Sequence, residues 1–307
     1  DGAAFHILAP NGNKVEMTFT YPQLTVIDTF YTTADGTLIT PEELDYGKGY
    51  ALVEVNAPYG YVLNSNLVYF DITEDNASEE DAVTVVKVER PNMPQKGTIT
   101  ISKSGEVFAS VTEANGIYQP VYEVRGLSGA EYSVVATEDI YTPDGTLRCA
   151  KDTVVATLTT DENGTATTEP LYLGRYAIRE MKAPYGMILN ADVQDVELSY
   201  AGQEVEITTT ASSFYNERQH LTIDLAKAME KDTRFHIGEN GEIHAVTFGL
   251  YAAEECKAAD GTVIPADGLV EIVSCSDNGK AVFKTDLPAG AKMYVKEIST
   301  DSHYILS

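Results

Sequence analysis

A short strand-and-turn segment occurs three times in the chain, and each copy has a glutamate at an inward-facing position. The first two copies read YALVEVNAPYGYVL and YAIREMKAPYGMIL, and the third, MYVKEISTDSHYIL, lacks the proline and glycine of the turn. Side chains two residues apart share one face of a β-strand. Because apolar residues precede each glutamate at this spacing, we predict that Glu54, Glu180 and Glu297 are buried.

An aromatic residue on an earlier strand provides a second marker of the repeat. Phe5, Tyr132 and Phe248 precede the three glutamates by 48 or 49 residues. Between these markers, runs rich in Val, Ile, Thr and Tyr alternate with turn signals such as TPDGT and SDNGK, as in all-β sandwiches. The pattern predicts an all-β chain of three sandwich units in a row: repeat one (1–94), repeat two (95–218) and repeat three (219–307).

The composition narrows the range of partners. There are 47 acidic residues against 21 Lys and Arg, and the net charge is -26. This charge disfavours nucleic acid and anionic membrane surfaces as partners. The sequence has neither an apolar run long enough to span a membrane nor a signal segment. We therefore expect any targeting or anchoring segment to lie outside this chain.

Repeat two has two more polar residues at inward positions. Lys103 follows the alternation of Ile99 and Ile101, and Asn216 follows that of Ser212 and Phe214. One alternative is that these are exposed polar residues at strand ends. Burying an unpaired charge costs several kcal/mol, however, and favours neutral forms.

A neutral lysine amine is a nucleophile, and a protonated carboxyl can polarise an amide and deliver a proton to departing ammonia. If Lys103, Glu180 and Asn216 meet inside the sandwich, the expected product is a Lys to Asn isopeptide bond.

The glutamate followed by Ala-Pro-x-Gly-Tyr, with a first-strand lysine and a last-strand asparagine, resembles the Cna-B or SpaA-type domains of Gram-positive surface adhesins and pilins. The motif is complete at residues 54–61, whereas Met187 replaces the tyrosine in the second copy. The resemblance implies tandem Greek-key, transthyretin-like sandwiches. It assigns the isopeptide bond to Lys103 and Asn216 and the catalytic acid to Glu180. It further implies an extracellular, cell-wall-attached adhesin stalk that is not a turnover enzyme.

The flanking repeats have only part of this set. Repeat one has Glu54 with Asn92, although Pro91 interrupts the strand pattern there, and its lysine strand is expected to precede the chain. Repeat three has Lys227 and Glu297, and its asparagine strand is expected to follow the chain. We expect neither repeat to be crosslinked within this chain.

The long segment from Gly105 to Ser128 is a candidate ligand loop. Tyrosine and arginine are common binding anchors, and the residues concerned are Phe108, Tyr118, Tyr122 and Arg125. The alternative is a small hairpin packed on its own sandwich. The expected partner is a host extracellular protein, such as an immunoglobulin or matrix protein, or a glycan.

Two other functions each require a sequence feature that this chain lacks. A sortase-assembled pilus shaft requires a Tyr-Pro-Lys type motif, but the single Tyr-Pro of the sequence is followed by Gln23. A transthyretin-like hydrolase requires clustered histidines, but the five histidines are scattered.

The remaining candidate chemistry is limited. Neither a metal site nor a cofactor is expected, because cysteines and histidines lack ligand spacing. The acidic turn at residues 161–164 is expected to be an Asx turn and not a calcium site. Pairing of Cys256 with Cys275 stays open, and Cys149 is expected to be a free thiol.

Overall fold

The structure of the protein is a computed structural model that describes residues 2–19, 24–74 and 85–306. Its described residues form strands joined by turns, with a 3₁₀ turn at Glu242–Ala245, so the predicted all-β class is confirmed. No helix in the described part of the chain is long and apolar enough to cross a membrane. The Tyr-Pro dipeptide that precedes Gln23 lies outside the described residues.

Repeat one contains a four-stranded sheet in the order β4-β1-β5-β7. Two short antiparallel pairs, β2 with β3 and β6 with β8, accompany it. The strands are β1 (Ala4–Leu8), β2 (Met17–Phe19), β3 (Thr25–Ile27), β4 (Phe30–Tyr31), β5 (Gly47–Asn56), β6 (Tyr61–Val62), β7 (Val68–Ile72) and β8 (Met93–Pro94).

Repeat two contains two main sheets and a short two-stranded pair. Its strands are β9 (Lys96–Ala114), β10 (Ile117–Gly126), β11 (Glu131–Ala136), β12 (Ile140–Tyr141), β13 (Leu147–Cys149), β14 (Val154–Thr159), β15 (Thr165–Thr167), β16 (Leu171–Tyr172), β17 (Gly174–Lys182), β18 (Val193–Leu198) and β19 (Ile207–Asn216). One sheet has the order β14-β11-β17-β18. In the other, β9 pairs with β15 and β16 antiparallel and with β19 parallel.

Repeat three is built around β21, which pairs antiparallel with β24 on one side and β26 on the other. β20 pairs antiparallel with β25 in a separate two-stranded sheet. The strands are β20 (Ile223–Ala226), β21 (Thr247–Ala252), β22 (Cys256–Lys257), β23 (Val263–Ile264), β24 (Leu269–Ser274), β25 (Lys280–Phe283) and β26 (Met293–Ser299).

The constant spacing between the aromatic residue and the glutamate has a direct structural origin. In each repeat the aromatic residue lies opposite the glutamate on the neighbouring antiparallel strand: Phe5 opposite Glu54, Tyr132 opposite Glu180 and Phe248 opposite Glu297. The register of the pair shifts immediately before the aromatic residue in all three repeats. The spacing therefore records the same strand pairing three times.

Three separate hydrophobic clusters lie among the described residues, one in each repeat. They include Ile7, Phe30 and Tyr50 in repeat one, Ile99, Tyr176 and Ile178 in repeat two, and Leu250, Ile264 and Phe283 in repeat three. The boundaries assigned to the repeats from the sequence stay predictions.

The segment from Gly105 to Ser128 differs from the predicted loop. β9 and β10 pair from Ser104 to Gly126 and turn at Asn115 and Gly116, both of which have positive φ angles. The hairpin packs against repeat three and not against its own sandwich, as Phe108, Val111 and Tyr118 contact the hydrophobic cluster there. Part of that cluster would be exposed without the hairpin, and the hairpin side chains would be exposed without repeat three, so the two surfaces cover each other.

Candidate functional site

Lys103 lies in the core because β9 alternates regularly between the two faces of its sheet. Ile99 and Ile101 are 0% exposed and Lys103 is 1% exposed. β19 runs parallel to β9 and places Phe214 beside Lys103 in the ladder. Asn216, two residues further on the same face, is 1% exposed. Two parallel neighbouring strands thus bring the amine and the carboxamide to one side of the core.

Glu180 reaches the same point from the opposite sheet. Its Oε1 lies 3.0 Å from Lys103 Nζ, and both side chains are fully buried. Asn216 Nδ2 donates a hydrogen bond of 2.9 Å to the same oxygen, and Lys103 Nζ is in direct contact with Asn216 Oδ1. One carboxyl oxygen therefore faces both the lysine amine and the amide nitrogen.

The amine of Lys103 is buried among aromatic rings. The ring centres of Tyr132 and Phe214 lie 5.7 and 5.8 Å from Lys103 Nζ. Burial lowers the pKa of Lys103, and its hydrogen bond to Glu180 offsets this only in part. Burial thus favours the neutral amine, the form of lysine that acts as a nucleophile.

The flanking repeats assemble two groups each, as the sequence predicted. In repeat one, Asn92 Nδ2 donates to both oxygens of Glu54, at 2.8 and 2.9 Å. In repeat three, Lys227 Nζ lies 2.9 Å from Glu297 Oε2, and the Lys227 side chain is 22% exposed. All three glutamates are buried, which confirms the expectation from the alternating pattern.

Two groups near the site were missed from the sequence. The backbone N–H of Asn190 donates a 2.7 Å hydrogen bond to Glu180 Oε2, and backbone donors leave no trace in a side-chain pattern. The hydroxyl of Tyr132 is buried and has no hydrogen-bond partner among the described residues. Phenylalanine occupies the matching positions in repeats one and three.

A third feature missed from the sequence is the junction between repeats two and three. Arg218 is 5% exposed, forms a bidentate ion pair with Asp286 and stacks 3.6 Å from the centre of the Tyr122 ring. Tyr122 donates its hydroxyl to the backbone oxygen of Asp286 at 3.0 Å. An arginine two residues beyond a strand end gives no sequence signal that distinguishes it from an exposed one.

The candidate ligand residues of the segment from Gly105 to Ser128 lie on the β9–β10 hairpin. Phe108, Tyr118 and Tyr122 contact repeat three, and Arg125 pairs with Glu123 at 2.8 Å on the surface. Ligand binding by this segment stays a prediction. The segment forms the hairpin that the sequence left open as the alternative, but this hairpin packs on repeat three, which corrects the expectation that it packs on its own sandwich.

The three cysteines are free thiols, so Cys256 and Cys275 do not form a disulfide. Within the described ranges, the acidic, histidine and cysteine side chains form no group suited to a metal ion. Asp161 accepts from the backbone N–H groups of Asn163 and Thr165 at 2.9 and 2.8 Å, as an Asx turn does.

The family model described as "SpaA: Prealbumin-like fold domain" matches residues 1–88 and 121–212, more than half of the chain. Together with the paired aromatic and glutamate strands, this match defines the class of protein. The chain belongs to the SpaA prealbumin-like fold domain family, which confirms the resemblance drawn from the sequence. No curated protein matches it.

Several solved structures are similar to the chain at low sequence identity. The Bacillus anthracis TIE protein superposes with a TM-score of 0.55 and 21% identity, covering 100% of this chain. The chain spans 43% of the length of that protein. The major pilin SpaD of Corynebacterium diphtheriae gives a TM-score of 0.30 with 17% identity, covering 65% of this chain and 56% of its own. The shaft pilin SpaA of Lactobacillus rhamnosus GG gives 0.26 with 12% identity, covering 69% and 91%.

Proposed function

We propose that the chain is part of an extracellular stalk on a Gram-positive bacterium, and that an isopeptide bond between Lys103 and Asn216 holds repeat two together. The observation that carries this proposal is the buried contact of three groups: an amine, a carboxyl and a carboxamide. Membership of the SpaA family supports the surface location. The role is structural, with a single crosslinking event per site and no turnover of a substrate.

The reaction is an exchange of amide nitrogens. The neutral amine of Lys103 attacks Cγ of Asn216, a new Nζ–Cγ bond forms, the Cγ–Nδ2 bond breaks and ammonia leaves. Glu180 polarises the carboxamide as an acid, takes a proton from the attacking nitrogen and delivers one to the departing nitrogen. The 2.9 and 3.0 Å contacts of its Oε1 with the two nitrogens support this double role. The groups are pre-assembled, so little entropy remains to be lost on reaching the transition state.

The bond would stabilise repeat two through its topology. It joins residues that are 113 positions apart. By analogy with a disulfide that closes a loop of this size, the constraint on the unfolded chain is worth about 4 to 5 kcal/mol. Since β9 and β19 are neighbours, tension would pass along the crosslinked strands without separating the sheets, as a load-bearing stalk requires.

The intact mass of the purified protein tests this proposal. One bond lowers the mass by one ammonia relative to the sequence, and Glu180→Gln, which removes the acid, restores the full sequence mass. Glu54→Gln is the matched control in repeat one, and it should leave the ammonia loss unchanged. A wild-type protein at its full sequence mass would show that no bond forms.

The stalk is also proposed to contact or present a host extracellular protein or glycan. The net charge of -26 favours partners with basic surfaces over anionic ones. Attachment to the cell wall is part of the same proposal.

A further inference from the structure

The second oxygen of the glutamate is held in the same way in two repeats. The backbone N–H of Asn190 donates to Glu180 Oε2 at 2.7 Å, and that of Asn64 donates to Glu54 Oε2 at 3.0 Å. Each asparagine lies 10 residues after its glutamate. The backbone donor is thus a feature of the repeat and not of one site.

The side chain of each asparagine sets the turn that aims this N–H. Asn190 Oδ1 accepts from the backbone N–H of Asp192 at 2.9 Å, and Asn64 Oδ1 accepts from that of Asn66 at 3.4 Å. These are Asx turns, in which the side chain replaces a backbone acceptor and fixes the local conformation. A residue without such an acceptor would leave the direction of the N–H less well defined.

Asn190 and Asn64 are also hydrogen-bonded to the last segment of their repeats, which carries Asn216 in repeat two and Asn92 in repeat one. Asn190 Nδ2 donates to the backbone oxygen of Tyr215, the residue before Asn216, at 3.1 Å. In repeat one the connection has the reverse direction, as Arg90 donates to the backbone oxygen of Asn64 at 2.6 Å. Different donors thus link the glutamate turn to the last segment of both repeats.

Both oxygens of Glu180 accept N–H groups, but from different parts of the chain. Oε1 faces Lys103 Nζ and Asn216 Nδ2, whereas Oε2 accepts from the backbone N–H of Asn190. The contact at Oε2 therefore fixes the rotation of the carboxyl group so that Oε1 points at the two reacting nitrogens. We propose that Asn190 is a positioning residue for the crosslink: it orients the carboxyl group of Glu180 through Oε2 and fixes the end of β19. This inference rests on the proposed crosslinking reaction.

The experiment compares Asn190→Ala and Asn190→Ser in the full chain. Each protein is made by cell-free synthesis, quenched in acid denaturant at intervals and weighed intact, so the loss of ammonia is followed in time. Asn190→Ala loses both the turn acceptor and the tether, and crosslinking should slow by about tenfold or more, as for small misplacements of reacting groups. Asn190→Ser retains a turn acceptor and should recover part of the rate. Asn64→Ala, the same change in repeat one, should crosslink Lys103 to Asn216 at the wild-type rate.

Stability measured without the crosslink separates positioning from a general loss of structure. In the Asn216→Ala background no bond can form, so thermal unfolding there gives the stability of repeat two with Asn, Ala or Ser at position 190. Positioning predicts that Asn190→Ala slows crosslinking well below the unfolding temperature of its sandwich, and that Asn190→Ser recovers part of the rate. Equal crosslinking rates for wild type and Asn190→Ala, or a slowing seen only where the Asn190→Ala sandwich is already unfolded, would overturn the positioning role alone. A wild-type protein that never loses ammonia would overturn the proposed function, and the positioning role with it.

Discussion

Repeat two and its two neighbours share one carboxyl position but differ in what surrounds it. In repeat two the carboxyl meets both an amine and a carboxamide. Among the described residues, repeat one pairs its glutamate with Asn92 and repeat three pairs its own with Lys227. The buried glutamate is therefore a property of the repeated strand pair, and the crosslinking chemistry depends on which partners complete it.

The comparison also shows that repeat three is held by its neighbour. It receives the β9–β10 hairpin, and Asp286 accepts the buried Arg218 ion pair. β9 is also the strand that carries Lys103. Repeat three is thus joined to the crosslinked strand by packing, whereas repeat one meets repeat two through neutral contacts such as the bond from the Ala57 N–H to Gln203 Oε1 at 2.7 Å.

The largest expected difference is mechanical. Single-molecule pulling should give no extension from the chain between residues 103 and 216, because the bond carries the load around it. Asn216→Ala should restore that extension and lower the stability of repeat two by about 4 to 5 kcal/mol. If wild-type repeat two instead releases nearly its whole contour length on unfolding, it is not crosslinked and does not differ from its neighbours in this respect.

The junction between repeats two and three should give the next largest effect. Arg218→Ala removes the main cation beside Asp286. Because the Asp286 side chain is 34% exposed, the cost should lie below the roughly 3 kcal/mol of a fully buried pair. Hydrogen exchange should therefore speed up in β24 and around Asp286 and stay unchanged in repeat one. The matched control is Arg125→Ala on the β9–β10 hairpin, whose side chain is 44% exposed. Equal protection in the Arg218 and Arg125 variants would show that the junction does not stabilise repeat three.

Acid should weaken the same junction. The hydrogen bonds from Arg218 hold the pKa of Asp286 below its ordinary value of 3.8, with His220 contributing in the same direction. A carboxyl with a lowered folded pKa stabilises fully above its unfolded pKa, and this contribution is lost as the pH falls through the folded value. The melting temperature of repeat three should thus fall below about pH 4. Asp286→Asn should lower it at neutral pH and flatten this dependence, and an unchanged acid limb would contradict the assignment.

The smallest effect concerns the Tyr132 hydroxyl, which is buried without a hydrogen-bond partner among the described residues. Phe5 and Phe248 occupy the same place in the flanking repeats, so the ring alone suffices for packing. Removing an unsatisfied buried hydroxyl should leave stability unchanged or raise it by about 1 kcal/mol. Thermal unfolding of Tyr132→Phe in the Asn216→Ala background measures this without the crosslink. A marked loss of stability would mean that the hydroxyl has a partner.

The sequence was sufficient for the fold class and for the meeting of Lys103, Glu180 and Asn216, because a period of two in a strand fixes which side chains point inward. It was not sufficient for the packing of the β9–β10 hairpin. Alternating apolar residues indicate that one face of the hairpin is covered, but they do not indicate which sandwich covers it. The Arg218 junction also depended on tertiary packing. Asn190 did leave a signal, since asparagine follows the glutamate at the same distance in two repeats, but its key donor is a backbone group.

Peptide mapping of the digested wild-type protein tests the central comparison most directly. We expect one crosslinked peptide pair, which joins the fragments that contain Lys103 and Asn216 and has lost one ammonia. We also expect the fragments containing Asn92 and Lys227 to be recovered as linear peptides at their full masses. Linear recovery of the Lys103 and Asn216 fragments, or a crosslink at Asn92 or Lys227 within the chain, would contradict this comparison.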